Sequence, residues 1–514
     1  MKVSDYLQKQ MFSRRVHNAS CGKASTFKGI AGKSQMVKPG ALSLYFNQEK
    51  FLDEIHAGGH IIFDCDYRSM RPKYKWDEKE QKNKFDGFED VSRNAVSWQE
   101  AIRGNKASTC GGNAPWIGNE GGDETAELVA KIKSHIDTAN LQAALMCHFY
   151  AIFGCADGAL YFYKDGDEIA WQCFSYEDGD NCTIAPDYEN PEKEMGVRYF
   201  DYEGHDAVEF YRDSTIDLYV KYDKDEELLK KFPNAVASSI LLNEEGTEVG
   251  RAYEKTEDGF YLVSRKSHGL DESPFCYFRE KDIPSGPVQH NIEDWEKLLS
   301  DCNENVKYYA YQILFLSGGA VSLPNANFGG KVIGSKTVDG DAKILEPADA
   351  SNTLDIAFKK TYNAICDGSK SVFIKPEDLK GQNDSGAYIA NLYWPEIQWA
   401  KLFYGRYHKC MVKVLRVFRK LVGLIEGKPA EYNSVRLSYM LTPFLPKNNL
   451  EDTQILQYSV AAGFMSKETA AEESDFTNPQ EMQRLAKQRE VEQQMEMAKV
   501  AAQATVTSKQ DDKQ

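Results

Sequence analysis

From Tyr393 to Ile425 apolar residues recur at strictly alternating intervals of four and three: Tyr393, Ile397, Ala400, Tyr404, Tyr407, Met411, Val414, Phe418, Leu421 and Ile425. That spacing lays one continuous stripe along one side of a helix. A helix from Ser385 to Ile425 would reach roughly 60 Å, several times the usual globular length. Pro395 falls inside the pattern, so the first turns are expected to be kinked against the rest. The same stretch is locally basic. Lys401, Arg406, Lys409, Lys413, Arg416, Arg419 and Lys420 occur with no acidic residue between them. Two readings stay open for that basic run: a solvated face, or a surface complementary to an acidic neighbouring subunit or to DNA.

The rest of the chain is acidic. Its formal net charge of −16 argues against a general DNA-coating role, which needs an excess of Lys and Arg against phosphate. A length of 514 residues, with 42% apolar and 27% charged content, is that of an ordinary globular protein of several domains. Eleven cysteines include no C-x-x-C pair, so neither a zinc ribbon nor a disulfide framework is indicated. Met1 to Val16 lacks the apolar core of a secretory signal. The most apolar run, Ala143 to Ala156, is too short to span a bilayer, and no membrane segment is expected.

Taken in order, a short amphipathic helix and a Gly/Lys/Ser-rich loop lead to a helix at Phe51–Ile55 and a short strand at Ile61–Phe63. Lys73 to Lys84 reads as a solvated loop or exposed helix, and Gly111 to Gly122 as a flexible loop. One long helix is expected over Asp123–Phe153, with Leu128, Ile132, Ile136, Leu141, Leu145 and Phe149 inward. Lys164-Asp165-Gly166-Asp167 between two aromatic-rich runs signals a hairpin. Strands continue to Val263 as an antiparallel meander, so the fold class is α+β. After Pro284 a heptad seam of Ile292, Trp295, Leu299, Cys302, Val306, Tyr309, Ile313 and Leu316 predicts a second long helix. Lys331–Ile333 and Lys343–Leu345 read as short strands, and Ser351–Ile365 as a third helix. Val435–Tyr439 reads as a strand and Thr453–Ala462 as a helix. Asn478–Val500 reads as a polar helix, and Thr505–Gln514 as a disordered tail.

Catalytic patterns are missing. Gly32-Lys33-Ser34 lacks the first glycine of a phosphate loop, and Ser335-Lys336 reverses its Lys-Ser order. His56 and His60 flank Gly58-Gly59, and with Asp64 and Asp66 they favour satisfied polar side chains over a metal site. No G-x-S-x-G, H-E-x-x-H or paired-carboxylate site occurs. The sequence predicts no enzyme, cofactor or metal.

Four local patterns then occur in one order. Leu270-Asp271-Glu272-Ser273-Pro274-Phe275 leads into Pro287-Val288 and Ile292-Glu293-Asp294-Trp295. Ser385-Gly386-Ala387 opens the long helix. Gly463-Phe464-Met465-Ser466-Lys467-Glu468-Thr469 and Asn478-Pro479-Gln480-Glu481 follow. In this order the chain resembles the portal proteins of tailed bacteriophages, closest to those of siphophages with Gram-positive hosts. The resemblance implies a wing (1–285), stem helices (286–316 and 351–365), a clip (317–350) and a tunnel loop (366–384). Beyond these it implies a long helix (385–426), a wing return (427–475) and a crown (476–504). It implies a ring of twelve subunits at one capsid vertex, through which double-stranded DNA is packaged and ejected. Expected partners are further copies, terminase large subunit, major capsid or scaffolding protein, and a head–tail adaptor. The tunnel loop would offer Ser369, Lys370, Lys375, Lys380 and Asn383 to DNA. The stem seam Ile292, Trp295, Leu299, Tyr309 and Ile313 would pack subunits together. Other virion structural or adaptor proteins, or a cytoplasmic coiled-coil scaffold, are the competing classes.

Overall fold

The computed structural model describes residues 48–222 apart from 78 and 81, then 232, 237–242, 248–253, 255–309, 351–373, 391–445, 449–466, 470 and 487. Four short strands at 313–316, 320–322, 334–335 and 342–345 complete the described residues. Two compact units result. Met1–Phe373 with Pro395–Phe444 forms the first, and Ile374–Trp394 with Leu445–Gln514 the second. Of the second, the description covers residues 391–394, Leu445, the helix Asn449–Ala461 and the few residues after it. The fold is α+β, as expected.

The long helix runs from Trp394 to Ile425 and organises the first unit. Ala400, Phe403, Tyr407, Met411, Val414 and Phe418 are fully buried. They pack on the helices Ala126–Thr138 and Leu141–Cys155 and on the sheet of Phe275–Arg279, Asp157–Asp165 and Glu168–Phe174. Phe403 and Tyr407 stack, and Phe149, Phe153 and Phe278 meet them edge-on. Burial of rings at these geometries is the main stabilising term of such a core. The expected kink takes another form: the chain turns at Tyr393, and Pro395 sits in the first helical turn. Proline is tolerated there because its missing N–H has no intrahelical partner to lose.

Several expectations are corrected. The helix expected over Asp123–Phe153 is two helices, because Asn140 adopts φ 51° and caps the second by accepting the Ala143 N–H at 3.1 Å. Arg71–Asp77 and Lys82–Glu89 form a β-hairpin where a loop or exposed helix was expected. Within the glycine-rich stretch, Trp116–Asn119 is a strand paired with Leu437–Met440. Ile61–Phe63 is a 3₁₀ turn: only Ile62 is buried, and no strand among the described residues ladders with it. The helix Trp98–Gly111, whose apolar spacing is weak, was missed. The Lys164–Asp167 hairpin is present, with Gly166 at φ 63°. A further five-stranded antiparallel sheet runs in the order Phe260–Ser267, Thr215–Lys221, His205–Tyr211, Glu194–Tyr202, Asn181–Pro186.

The second predicted helix is shorter than its heptad seam. It spans Gln289–Tyr309, and Ile313–Leu316 forms instead an antiparallel strand paired with Ala342–Leu345. Ile313-Leu314-Phe315-Leu316 is a short continuous apolar run, which periodicity alone cannot assign to helix or strand. The third helix is longer than expected, Ser351–Ser369. The expected N-terminal helix, the strand at 331–333, the crown helix apart from residue 487, and the tail lie outside the described residues.

Candidate nucleic-acid interface

Two helices bracket the segment expected to face DNA: Ser351–Ser369 before it and Trp394–Ile425 after it. Ser369 closes the first, its buried hydroxyl donating to the Ile365 carbonyl at 2.7 Å. Lys370 follows with φ 55°, in the left-handed region that a side chain adopts at a cost, and its side chain is exposed. Lys375, Lys380 and Asn383 lie outside the described residues.

A buried polar knot holds both flanks of that segment. Lys106 Nζ donates to the Lys370 carbonyl at 2.6 Å and lies 3.5 Å from Glu396 Oε1, with both side chains wholly enclosed. Glu396 Oε2 accepts the Val372 N–H and the Asn105 amide, each at 3.2 Å. The same Asn105 amide donates to the Val372 carbonyl, and the Tyr362 hydroxyl donates to the Phe373 carbonyl, both at 3.2 Å. Burial pushes the Lys106 ammonium below its ordinary pKa and the Glu396 carboxyl above its own, and each partner opposes the other's shift. Three groups, the Lys106 ammonium and Asn105 amide from the helix Trp98–Gly111 and the Val372 N–H, thus converge on one carboxylate of the long helix. Nothing in the sequence marked Lys106. Glu396, an acid beside the apolar stripe and directly after Pro395, carried a weak signal.

An aromatic cluster lies beside the knot. Trp98 meets Trp295, Tyr362 and Phe373 at ring distances of 5.6–5.7 Å, and Trp295 meets Phe358 at 4.9 Å. Ile292 is fully enclosed here with Ile102, Val288 and Ile365. The inner half of the expected subunit seam is therefore packed within its own chain. Leu299 is half-buried and Val306 is 68% exposed. Tyr309 ends the helix and Ile313 is in a strand, and their side chains lie outside the described residues.

An adjoining stripe of Gln289–Tyr309 holds an extended segment. Glu296, Ser300 and Glu304 accept the backbone N–H groups of Val96, Asn94 and Ser92 at 2.8–2.9 Å. Four helical residues rise about 6 Å and two extended residues about 6.6 Å, so the two rows stay in register. His60 Nδ1 sits 2.5 Å from Glu296 Oε1, and its Nε2 is 2.9 Å from the Glu54 carbonyl. Both ring nitrogens are thereby engaged by protein, and His56, on the surface, faces Glu177 at 3.6 Å.

Part of the basic run is satisfied inside the chain, a third outcome beside the two expected. Arg416 pairs with Glu272 at 2.7 Å, and Lys420 pairs with Asp271 and Glu272 at 2.5 and 2.7 Å. Arg406 pairs with Glu280 at 2.7 Å, and Arg419 donates to the Val435 carbonyl. The motif Leu270–Phe275 thus has a physical role: its apolar ends are buried while its carboxylates dock on the long helix. Lys401, Lys409 and Lys413 have no carboxylate partner among the described residues.

Among the described residues no group of three or more His, Cys, Asp or Glu could hold a metal ion, and no helix is long and apolar enough to cross a membrane.

The family model for phage portal protein, SPP1 Gp6-like, matches residues 74–495. No curated protein sequence matches the chain. A solved structure described as "Virion of native gene transfer agent (GTA) particle" aligns at 10% identity and a TM-score of 0.32, covering 72% of this chain and 86% of that one.

Proposed function

The chain belongs to the SPP1 Gp6-like phage portal protein family, and from that membership we propose that twelve copies form a ring at one capsid vertex. The family is structural rather than enzymatic, and its members are virion components. In our reading, double-stranded DNA passes through the ring during packaging and ejection. Terminase large subunit docks on residues 317–350 on one side, and a head–tail adaptor later replaces it. Major capsid or scaffolding protein meets the outer surface, and assembly takes place in the host cytoplasm.

The match over residues 74–495 carries this reading. The polar knot supports the channel assignment of residues 366–384, because a loop that meets moving DNA needs anchored ends. Lys370, Lys375 and Lys380 supply charge that can touch phosphates without reading bases. An acidic remainder limits adhesion, so a duplex can slide.

Negative-stain imaging with native mass on one sample tests the proposal. Rings with a central hole and a mass near twelve subunits are expected. Rods or small dimers would overturn it.

A further inference from the structure

The outward arc of the long helix differs between its two parts, and the part from Lys401 to Lys413 is unlike the rest. Lys401, Leu402, Gly405, Lys409, Val412 and Lys413 fall within roughly 120° of one another at 100° per residue, over about 18 Å of helix. Leu402 is 67% exposed and Val412 40% exposed. A Cβ added at Gly405 would meet nothing within 4 Å, so the backbone is open to close approach there. None of the three lysines has a carboxylate partner among the described residues. Further along the same arc Arg416 and Lys420, and at its edge Arg406, all find one within the chain, so the unpaired stretch is its first part, Lys401 to Lys413.

We propose that this lysine–leucine–valine arc is one half of the contact between neighbouring copies, docking on a carboxylate-rich surface of the next. The inference rests on the ring reading above and names a surface that would close it. Charge complementarity identifies the occupant. A second copy carries the same net charge of −16, so its surface is predominantly anionic while this arc is locally cationic. A head-to-tail ring joins two different patches, one basic and one acidic, which this arrangement provides without self-repulsion. The two exposed apolar side chains between the lysines favour protein over DNA. Phosphate contact needs only the charges, whereas a protein interface also removes apolar surface from water.

The test uses the full chain. Equal parts of unlabelled and ¹⁵N-labelled protein are mixed, assembled and treated with a zero-length amine–carboxylate cross-linker. Mixed-isotope cross-links from Lys401, Lys409 or Lys413 to a carboxylate are expected. In parallel, the Lys401→Glu/Lys409→Glu/Lys413→Glu variant should lose rings on native mass, by at least tenfold in assembled fraction, with an unchanged thermal melt. Wild-type rings whose cross-links at these lysines are all within one chain would overturn the inference while leaving the ring reading intact. So would a variant that assembles normally but retains less DNA, which would assign the arc to DNA. A wild-type chain that never assembles would overturn the ring reading itself and this inference with it.

Discussion

Lys106 and Glu396 share an ion pair from which water is excluded on both sides, 3.5 Å from nitrogen to oxygen. Such a pair adds little over apolar residues of the same volume, but breaking it leaves a bare buried charge. Lys106→Met or Glu396→Leu alone is therefore expected to cost about 3–5 kcal/mol. The double variant should be much less damaging than the sum. Equilibrium urea unfolding of the four proteins gives the coupling. Additive single effects would mean that the pair does not act as a unit.

Along Gln289–Tyr309 the three acceptors differ in burial, which ranks their variants. Glu296 is enclosed and serves both Val96 and His60, Ser300 is enclosed and serves Asn94, and Glu304 is nearer the surface and serves Ser92. Each loss strands a backbone N–H that needs a partner. Glu296→Ala should cost most, about 3 kcal/mol, and Ser300→Ala about 1–2 kcal/mol. Glu304→Ala should cost least. A reversed order in urea midpoints would sink the idea that this row docks the helix.

How much of this was legible follows from where the information resides. The long helix could be read because one face is apolar at every turn and 3.6 residues per turn leaves no other fit. Its inner face is wider than the stripe suggested: Phe403 is fully buried, and Tyr404 is only half-buried. The hairpin at Arg71–Glu89 was hidden because lysines alternate with Tyr74 and Trp76, and charge density outweighed a correct period of two. The polar knot was illegible for a different reason. Lys106, Glu396 and the Lys370 carbonyl are far apart in sequence, and each looks like a surface group until tertiary packing removes the water. Docking of the basic run on Asp271, Glu272 and Glu280 was invisible for the same reason, although the run and the motif holding Asp271 and Glu272 were already in view.

Burial pushes Asp157 up to about 7, despite donors from Gln48 at 2.7 Å and Tyr277 at 3.1 Å. The sign follows from proton counting. Between pH 4 and 7 the native state holds a proton that the unfolded chain has lost, so this group's contribution falls as pH rises through that window. Above about 7 it levels off. Asp157→Asn cannot titrate. Its stability relative to wild type should improve by up to about 1.4 kcal/mol per pH unit across the window. A wild-type-minus-variant difference that stays flat from pH 4.5 to 7 would show that Asp157 is ionised throughout.

The loop lysines and the anchor below them make separable contributions, and two variants distinguish them. Truncating Lys370, Lys375 and Lys380 to Ala removes three charges but leaves the Lys370 carbonyl, which is the atom that Lys106 grips. Lys106→Met does the reverse: the charges stay and the anchor goes. If the loop touches phosphates without reading bases, the triple variant should assemble normally yet package or retain less DNA. Its remaining DNA contact should depend less on salt than that of wild type, because fewer counterions are released. Lys106→Met should instead impair packaging together with stability and leave the salt dependence in place. DNA length per particle, measured on gels over a salt series, separates the two. A triple variant that packages and responds to salt like wild type would remove the loop lysines from DNA contact.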